Sequence, residues 1–126
     1  MIIGLGMDIT EIPRIQSNWD TYGEKFAQKI LTDKEIAELP KHPVPRLAAL
    51  FASKEAAVKA LGTGFAEGIH FKCVEILHSS NGKPYLTFLG AGLNKCRSMG
   101  VTNVHLTITH SRDMAAATVI LEGTQS

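Results

Sequence analysis

Residues 45–62 read Pro-Arg-Leu-Ala-Ala-Leu-Phe-Ala-Ser-Lys-Glu-Ala-Ala-Val-Lys-Ala-Leu-Gly. This is the strongest helical signal in the chain. Ala48, Ala52, Ala56 and Ala60 fall on one i+4 row, where small side chains allow close packing against a neighbour. Leu47, Leu50, Phe51, Val58 and Leu61 supply a bulkier apolar stripe at helical spacing. Pro45 suits the first helical turn, and Gly62 and Gly64 end the helix, glycine supplying the left-handed cap. A helix this apolar needs a partner layer, and the rest of the chain must provide it.

Downstream the pattern changes. Residues 70–78, 84–89, 103–110 and 114–121 are rich in β-branched residues and read as strands. Asn81-Gly82 between the first two signals a hairpin turn. Residues 90–99 read as a helix ending at Gly100. Upstream, residues 2–7 look like a short buried strand broken by glycines. Residues 9–22 read as a helix, with Ile9, Ile12 and Ile15 on one side, Trp19 extending it and Pro13 early enough to be tolerated. Thr32-Asp33-Lys34-Glu35 has the form of a capping box opening a short helix that stops before Pro40. Lys41-His42-Pro43-Val44-Pro45 is a stiff turn. Helices first, then strands with one helix between them, predict an α+β fold with a mainly antiparallel sheet packed with a long central helix.

The 126 residues suit one compact domain over 1–126, without repeat, low-complexity tract or linker. Thirteen Lys plus Arg against twelve Asp plus Glu leave a net charge of +1, so no basic excess points to nucleic acid. Cys73 and Cys96 form no CxxC pair and read as two reduced thiols. The opening Met-Ile-Ile-Gly-Leu-Gly-Met-Asp has no positive n-region, and Asp8 interrupts the apolar run. That resembles neither a signal peptide nor a spanning helix, and the expected location is the cytoplasm.

Four features carry possible chemistry. Asp8 follows Gly4-Leu5-Gly6-Met7, and a carboxylate at the end of a glycine-broken strand suits a hard cation, but taken alone it reads first as the cap of a helix starting near Ile9. Glu55 and Lys59 are i,i+4 neighbours, giving either a weak surface ion pair or a metal carboxylate beside a phosphate-binding ammonium. Lys54 falls on the apolar stripe between Leu50 and Val58. There it either snorkels, the ordinary outcome, or faces an anion. Thr109-His110-Ser111-Arg112-Asp113 is a polar turn with donors for a phosphate, although a hairpin turn needs no function to be polar. A serine nucleophile with His110 as base ranks below anion binding, because adjacent residues rarely meet triad geometry. Gly4-x-Gly6 lacks the third glycine of a dinucleotide fingerprint, and the five histidines show no HExxH spacing.

Taken together, these segments resemble the holo-acyl-carrier-protein synthase family of phosphopantetheinyl transferases. Gly6-Met7-Asp8-Ile9-Thr10-Glu11-Ile12-Pro13-Arg14 is similar to its opening pattern, and Phe51 through Gly62 to its second signature. Gly82-Lys83-Pro84 and His110-Ser111-Arg112-Asp113-Met114-Ala115-Ala116-Ala117 are similar to its later ones. The resemblance implies a 4'-phosphopantetheinyl transferase-like fold and an enzyme of fatty acid biosynthesis. That enzyme moves phosphopantetheine from coenzyme A to a serine of apo-acyl carrier protein, leaving 3',5'-ADP.

The resemblance also implies roles. Asp8 and Glu55 would bind Mg²⁺ at the coenzyme A pyrophosphate, in keeping with its taste for one or two carboxylates plus phosphate and water. Lys59 would balance charge on the leaving group, and Glu55 is the candidate base. Gly62 would let the backbone approach the cofactor. His110 and Ser111 would contact the nucleotide end, and Arg14 would face the acidic helix of the carrier protein. A homotrimer with active sites between subunits is implied as well. One departure stands out: Leu50 occupies the place of a usual Arg or Lys before Phe51. Weaker coenzyme A binding is expected, with Arg46 one turn earlier as a partial substitute. The competing expectations are a non-catalytic coenzyme A or carrier-protein binding module and a purely structural protein.

Overall fold

The computed structural model describes residues 1–124. Strand β1 (Ile2–Glu11) leads into helices α1 (Ile12–Tyr22), α2 (Glu24–Ile30), α3 (Asp33–Ala37) and α4 (Val44–Leu61). A single 3₁₀ turn, Phe71–Cys73, precedes β2 (Val74–His78) and β3 (Pro84–Phe88). Helix α5 (Gly90–Met99) and the hairpin β4 (Val101–His110) and β5 (Met114–Gly123) complete the fold. The expected single sheet is two sheets, both antiparallel: three strands in the order β1-β5-β4, and the separate hairpin β2-β3.

Helix α4 lies across β1 and β5, and its alanine row is the reason it sits so close. Ala48, Ala52, Ala56 and Ala60 are all buried. A Cβ added to Gly6 would overlap the Ala56 carbonyl oxygen and stand 2.6 Å from the Ala60 nitrogen. Small residues on both sides therefore let backbone meet backbone. Ala115, Ala117, Val119 and Leu121 of β5 face the same helix, in one core shared with Ile15, Leu47, Val58, Val74 and Ile76.

Several boundaries differ from the sequence reading. β1 runs to Glu11, so the first helix begins at Ile12 and not at residue 9. Asp8 pairs with Ala117 in mid-strand and caps nothing. Nor is β1 simply buried: Leu5, Met7 and Ile9 are 66%, 67% and 62% exposed. The strand foreseen from residue 70 starts at Val74, after the 3₁₀ turn, and β4 and β5 extend to Val101 and Gly123. α2 had no signal of its own. The capping box of α3 is present in both directions, with Glu35 N donating to Thr32 Oγ1 at 3.3 Å and Thr32 N to Glu35 Oε1 at 2.8 Å. Gly62 and Gly100 cap α4 and α5 at φ 81° and 82°.

Candidate active site

Side chains alternate along β1, so Asp8 shares with Gly4 and Gly6 the face towards α4. Lys59, in the last turn of that helix, reaches across. Its Nζ donates to Asp8 Oδ1 at 2.8 Å and to the Met7 carbonyl at 3.2 Å. Thr10 Oγ1 donates to the other Asp8 oxygen at 3.5 Å. Lys59 thus pairs with Asp8, and the Glu55–Lys59 surface pair considered from the sequence is not what forms. The hydrogen bond to Asp8 raises the Lys59 pKa above the usual lysine value. Burial and then the Asp8 carboxylate raise that of Glu55, while Lys59 and Arg14 pull it down. Glu55 therefore stands in the electrostatic reach of Asp8, Lys59 and Arg14. Met7, Asp8, Ile9, Lys59 and Ala116 line a shallow cleft here.

Arg14, on the first turn of α1, lies over the Phe51 ring at 5.9 Å from its centre. Beyond it Tyr22, Lys25, Phe26 and Lys29 border an apolar groove floored by Phe51 and Phe71. Gly62 adopts the left-handed cap, and a Cβ there would meet nothing within 4 Å. Within this chain its requirement is conformational rather than steric.

His110 and Ser111 lie elsewhere. The β4–β5 turn is closed by Ser111 N donating to the Met114 carbonyl at 2.8 Å. His110 borders a second pocket with Arg46, His42, His78 and Leu50. So the structure gathers Asp8, Glu55, Lys59 and Arg14, and places His110 at a different pocket of the same chain. Leu50 is 2% exposed at the floor of that second pocket, where Arg46 supplies a guanidinium.

Lys54 is the residue that sequence reasoning misplaced. It does not snorkel: it is wholly buried, and the anion it faces is the carboxylate of Glu35, 2.7 Å away inside the protein. Cys73 and Cys96 are free and buried, and burial lifts the Cys96 thiol to about 11. Among the described residues no three His, Cys, Asp or Glu side chains gather to hold a metal by themselves. No helix among them is long and apolar enough to cross a membrane.

A carboxylate and a lysine bridging the first strand to the long helix, with a second carboxylate alongside, form a site suited to phosphate chemistry. Comparison with known proteins assigns the class. The 4'-phosphopantetheinyl transferase superfamily matches residues 4–119, and the chain belongs to it. A holo-acyl-carrier-protein synthase of Maridesulfovibrio salexigens is 61% identical over 123 residues, which cover 97% of this chain and 99% of that protein. The crystal structure of holo-acyl-carrier-protein synthase from Neisseria meningitidis superposes with a TM-score of 0.87 at 37% identity, covering 97% of this chain and 99% of that one. The Bacillus anthracis synthase, solved in complex with CoA (3',5'-ADP), gives a TM-score of 0.79 at 34% identity, over 98% and 99% of the two chains.

Proposed function

We infer that this chain is an enzyme that transfers 4'-phosphopantetheine from coenzyme A to a serine of apo-acyl carrier protein, yielding holo-carrier protein and 3',5'-ADP. The observation that carries the reading at residue level is the Asp8–Lys59 contact at 2.8 Å with Glu55 beside it. A non-catalytic binder of the same fold is not favoured, since it has no need of this assembly.

The serine oxygen attacks the β-phosphorus, and the bond to the 3',5'-ADP oxygen breaks. Positioning and charge stabilisation supply most of the catalysis in such transfers. Lys59 binds a phosphate oxygen and offsets charge on the departing 5'-phosphate of 3',5'-ADP. Glu55 takes the serine proton; in the metal-free chain burial and Asp8 raise its pKa above that of an ordinary glutamate. The donor set of Asp8 and Glu55 fits Mg²⁺, and these two carboxylates would hold it, the remaining ligands being of the phosphate and water type that this ion prefers. When bound, that ion supplies Lewis-acid stabilisation of the pyrophosphate. His110 and Ser111, with Arg46 nearby, hold the nucleotide end, Arg46 standing in for the cation absent at Leu50.

Arg14, Lys25 and Lys29 around the apolar groove complement an acidic carrier-protein helix. The exposed apolar face of β1 and the separation of His110 from Asp8 support a homotrimer that completes each site with residues of two subunits. The whole chain then acts as one transferase domain in the cytoplasm. The deciding experiment is the intact mass of purified apo-acyl carrier protein after incubation with this protein, coenzyme A and Mg²⁺. A gain of one phosphopantetheine, abolished by EDTA and by Glu55→Ala, is expected; no gain overturns the reading.

A further inference from the structure

The buried ion pair between α4 and α3 has no part in phosphate chemistry, yet its lysine immediately precedes Glu55. The Lys54 ammonium has three protons, and each has an acceptor: Glu35 Oε1 at 2.7 Å, the Phe71 carbonyl at 2.9 Å and the Val74 carbonyl at 2.6 Å. Glu35 is itself fixed, accepting from Thr32 N and Ile76 N, both at 2.8 Å. Among the described residues no buried side-chain nitrogen or oxygen lacks a partner. The anchor therefore ties α4 to α3 and to the start of β2 with every proton of the lysine used.

Stability alone does not call for this arrangement. A buried ion pair is often matched or bettered by apolar side chains of equal volume. What three bonds to fixed acceptors provide is direction. At 100° per residue, Glu55 lies between the Lys54 side of α4 and the Ala56 side. The Ala56 side is pinned by backbone contact with Gly6, two residues before Asp8. With both flanks held, α4 cannot turn about its axis. A carboxylate roughly 6 Å from the axis would move about 1 Å for each ~10° of rotation.

We propose that Lys54 is a positioning residue for the transfer reaction: its bonds to Glu35, Phe71 and Val74 fix the rotation of α4 and so aim Glu55 at Asp8. The inference rests on the roles of Glu55 and Asp8 given above.

Steady-state kinetics with coenzyme A and apo-acyl carrier protein test it, each variant being assayed where circular dichroism shows it folded. Lys54→Met removes all three bonds. Glu35→Gln removes the ion pair and the acceptor for Ile76 N but keeps Oε1 as an acceptor, so all three bonds that orient the lysine remain available. The expected result for Lys54→Met is a kcat loss on the order of 100-fold, the scale of a 1 Å misplacement, with coenzyme A KM within about 3-fold. Glu35→Gln should lose thermal stability while keeping kcat within about 3-fold. Equal kcat losses in both variants, or an unchanged kcat in Lys54→Met, overturn the proposal. Should Lys54→Met not fold, Lys54→Arg keeps the charge and alters the geometry: a kcat fall at constant KM supports positioning, and wild-type kcat overturns it. Glu55→Ala is measured alongside. If it stays active, the site reading itself fails; if it is inactive while Lys54→Met is fully active, only the positioning role fails.

Discussion

Glu55 is the residue on which opposing influences meet. Burial and Asp8 favour its neutral form, while Lys59 and Arg14 favour the carboxylate, and the balance raises its pKa above the ordinary glutamate value. In the metal-free protein the Glu55 carboxyl, followed by NMR, should therefore titrate above an ordinary glutamate. Arg14→Met removes one of the influences that lower the pKa and should move that titration to higher pH. An unmoved titration would mean that Arg14 does not act on Glu55. The same shift has a stability side. A raised carboxyl pKa means that the folded state prefers the proton, so the contribution is present at low pH and lost as pH rises through the folded pKa. Glu55→Gln should then raise the melting temperature at neutral pH, and the gain should vanish below pH ~4, where the unfolded carboxyl is protonated too. Arg46 presents a separate case. It borders the His110 pocket whose floor is the buried Leu50, so Arg46→Ala should raise the coenzyme A KM about 10-fold, the effect of losing one charge-assisted contact, with kcat little changed. Asp8 could be singled out in the sequence as a carboxylate closing a glycine-broken apolar run, and Glu55 and Lys59 as an i,i+4 pair, but the Lys59–Asp8 contact could not, because 51 residues separate the two. Nor was the role of Lys54 legible, because its acceptors lie on α3 and the 70–74 segment, 17 to 20 residues away in sequence.

At the level of elements, the contact of α4 with β1 sets the distance between Lys59 and Asp8. Gly6→Ala puts a methyl group against the Ala56 carbonyl and the Ala60 nitrogen. Backbone cannot yield as a flexible side chain does, so about 1–3 kcal/mol of stability should be lost, as in overpacked cores. Urea unfolding measures that loss; an unchanged midpoint would show that the helix can lift away. Activity should fall further than stability, since the same shift separates Asp8 from Lys59. Signals confined to one turn or one face were readable here: the Thr32–Glu35 capping box, the alanine row of α4 and the glycine caps. β1 was misread because its pattern is inverted. Its helix-facing positions are Gly4, Gly6, Asp8 and Thr10, while Leu5, Met7 and Ile9 face outward. Ile9, Ile12 and Ile15 then imitate a helical stripe, although a strand ends and a helix begins between the first two. α2 is seven residues long and opens on Gly23 with no side-chain cap, so little in its sequence announces it.

Across the whole molecule, the outer face of the three-stranded sheet is the feature a lone chain leaves unexplained. Leu5 shares a register with Ile120 and His105, Met7 with Thr118 and Thr107, and Ile9 with Ala116 and Thr109. The β1 edge of this face is apolar and the β4 edge polar, so a second copy can cover it more readily than water can. Leu5→Lys changes an exposed position and should leave folding almost unaltered. It should nonetheless reduce the mass measured by light scattering from three chains to one. The proposed trimer also bears on the two pockets, because His110 and the Asp8–Lys59 pair do not share one within a chain. If each site takes Glu55 from one subunit and His110 from the next, two inactive variants can repair one another. Glu55→Ala and His110→Ala, unfolded together and reassembled at equal amounts, should regain about a quarter of the wild-type sites, the share expected from random mixing in a closed ring. Mixed trimers without recovered activity would show that each subunit carries its whole site, and that His110 reaches Glu55 by a movement within one chain.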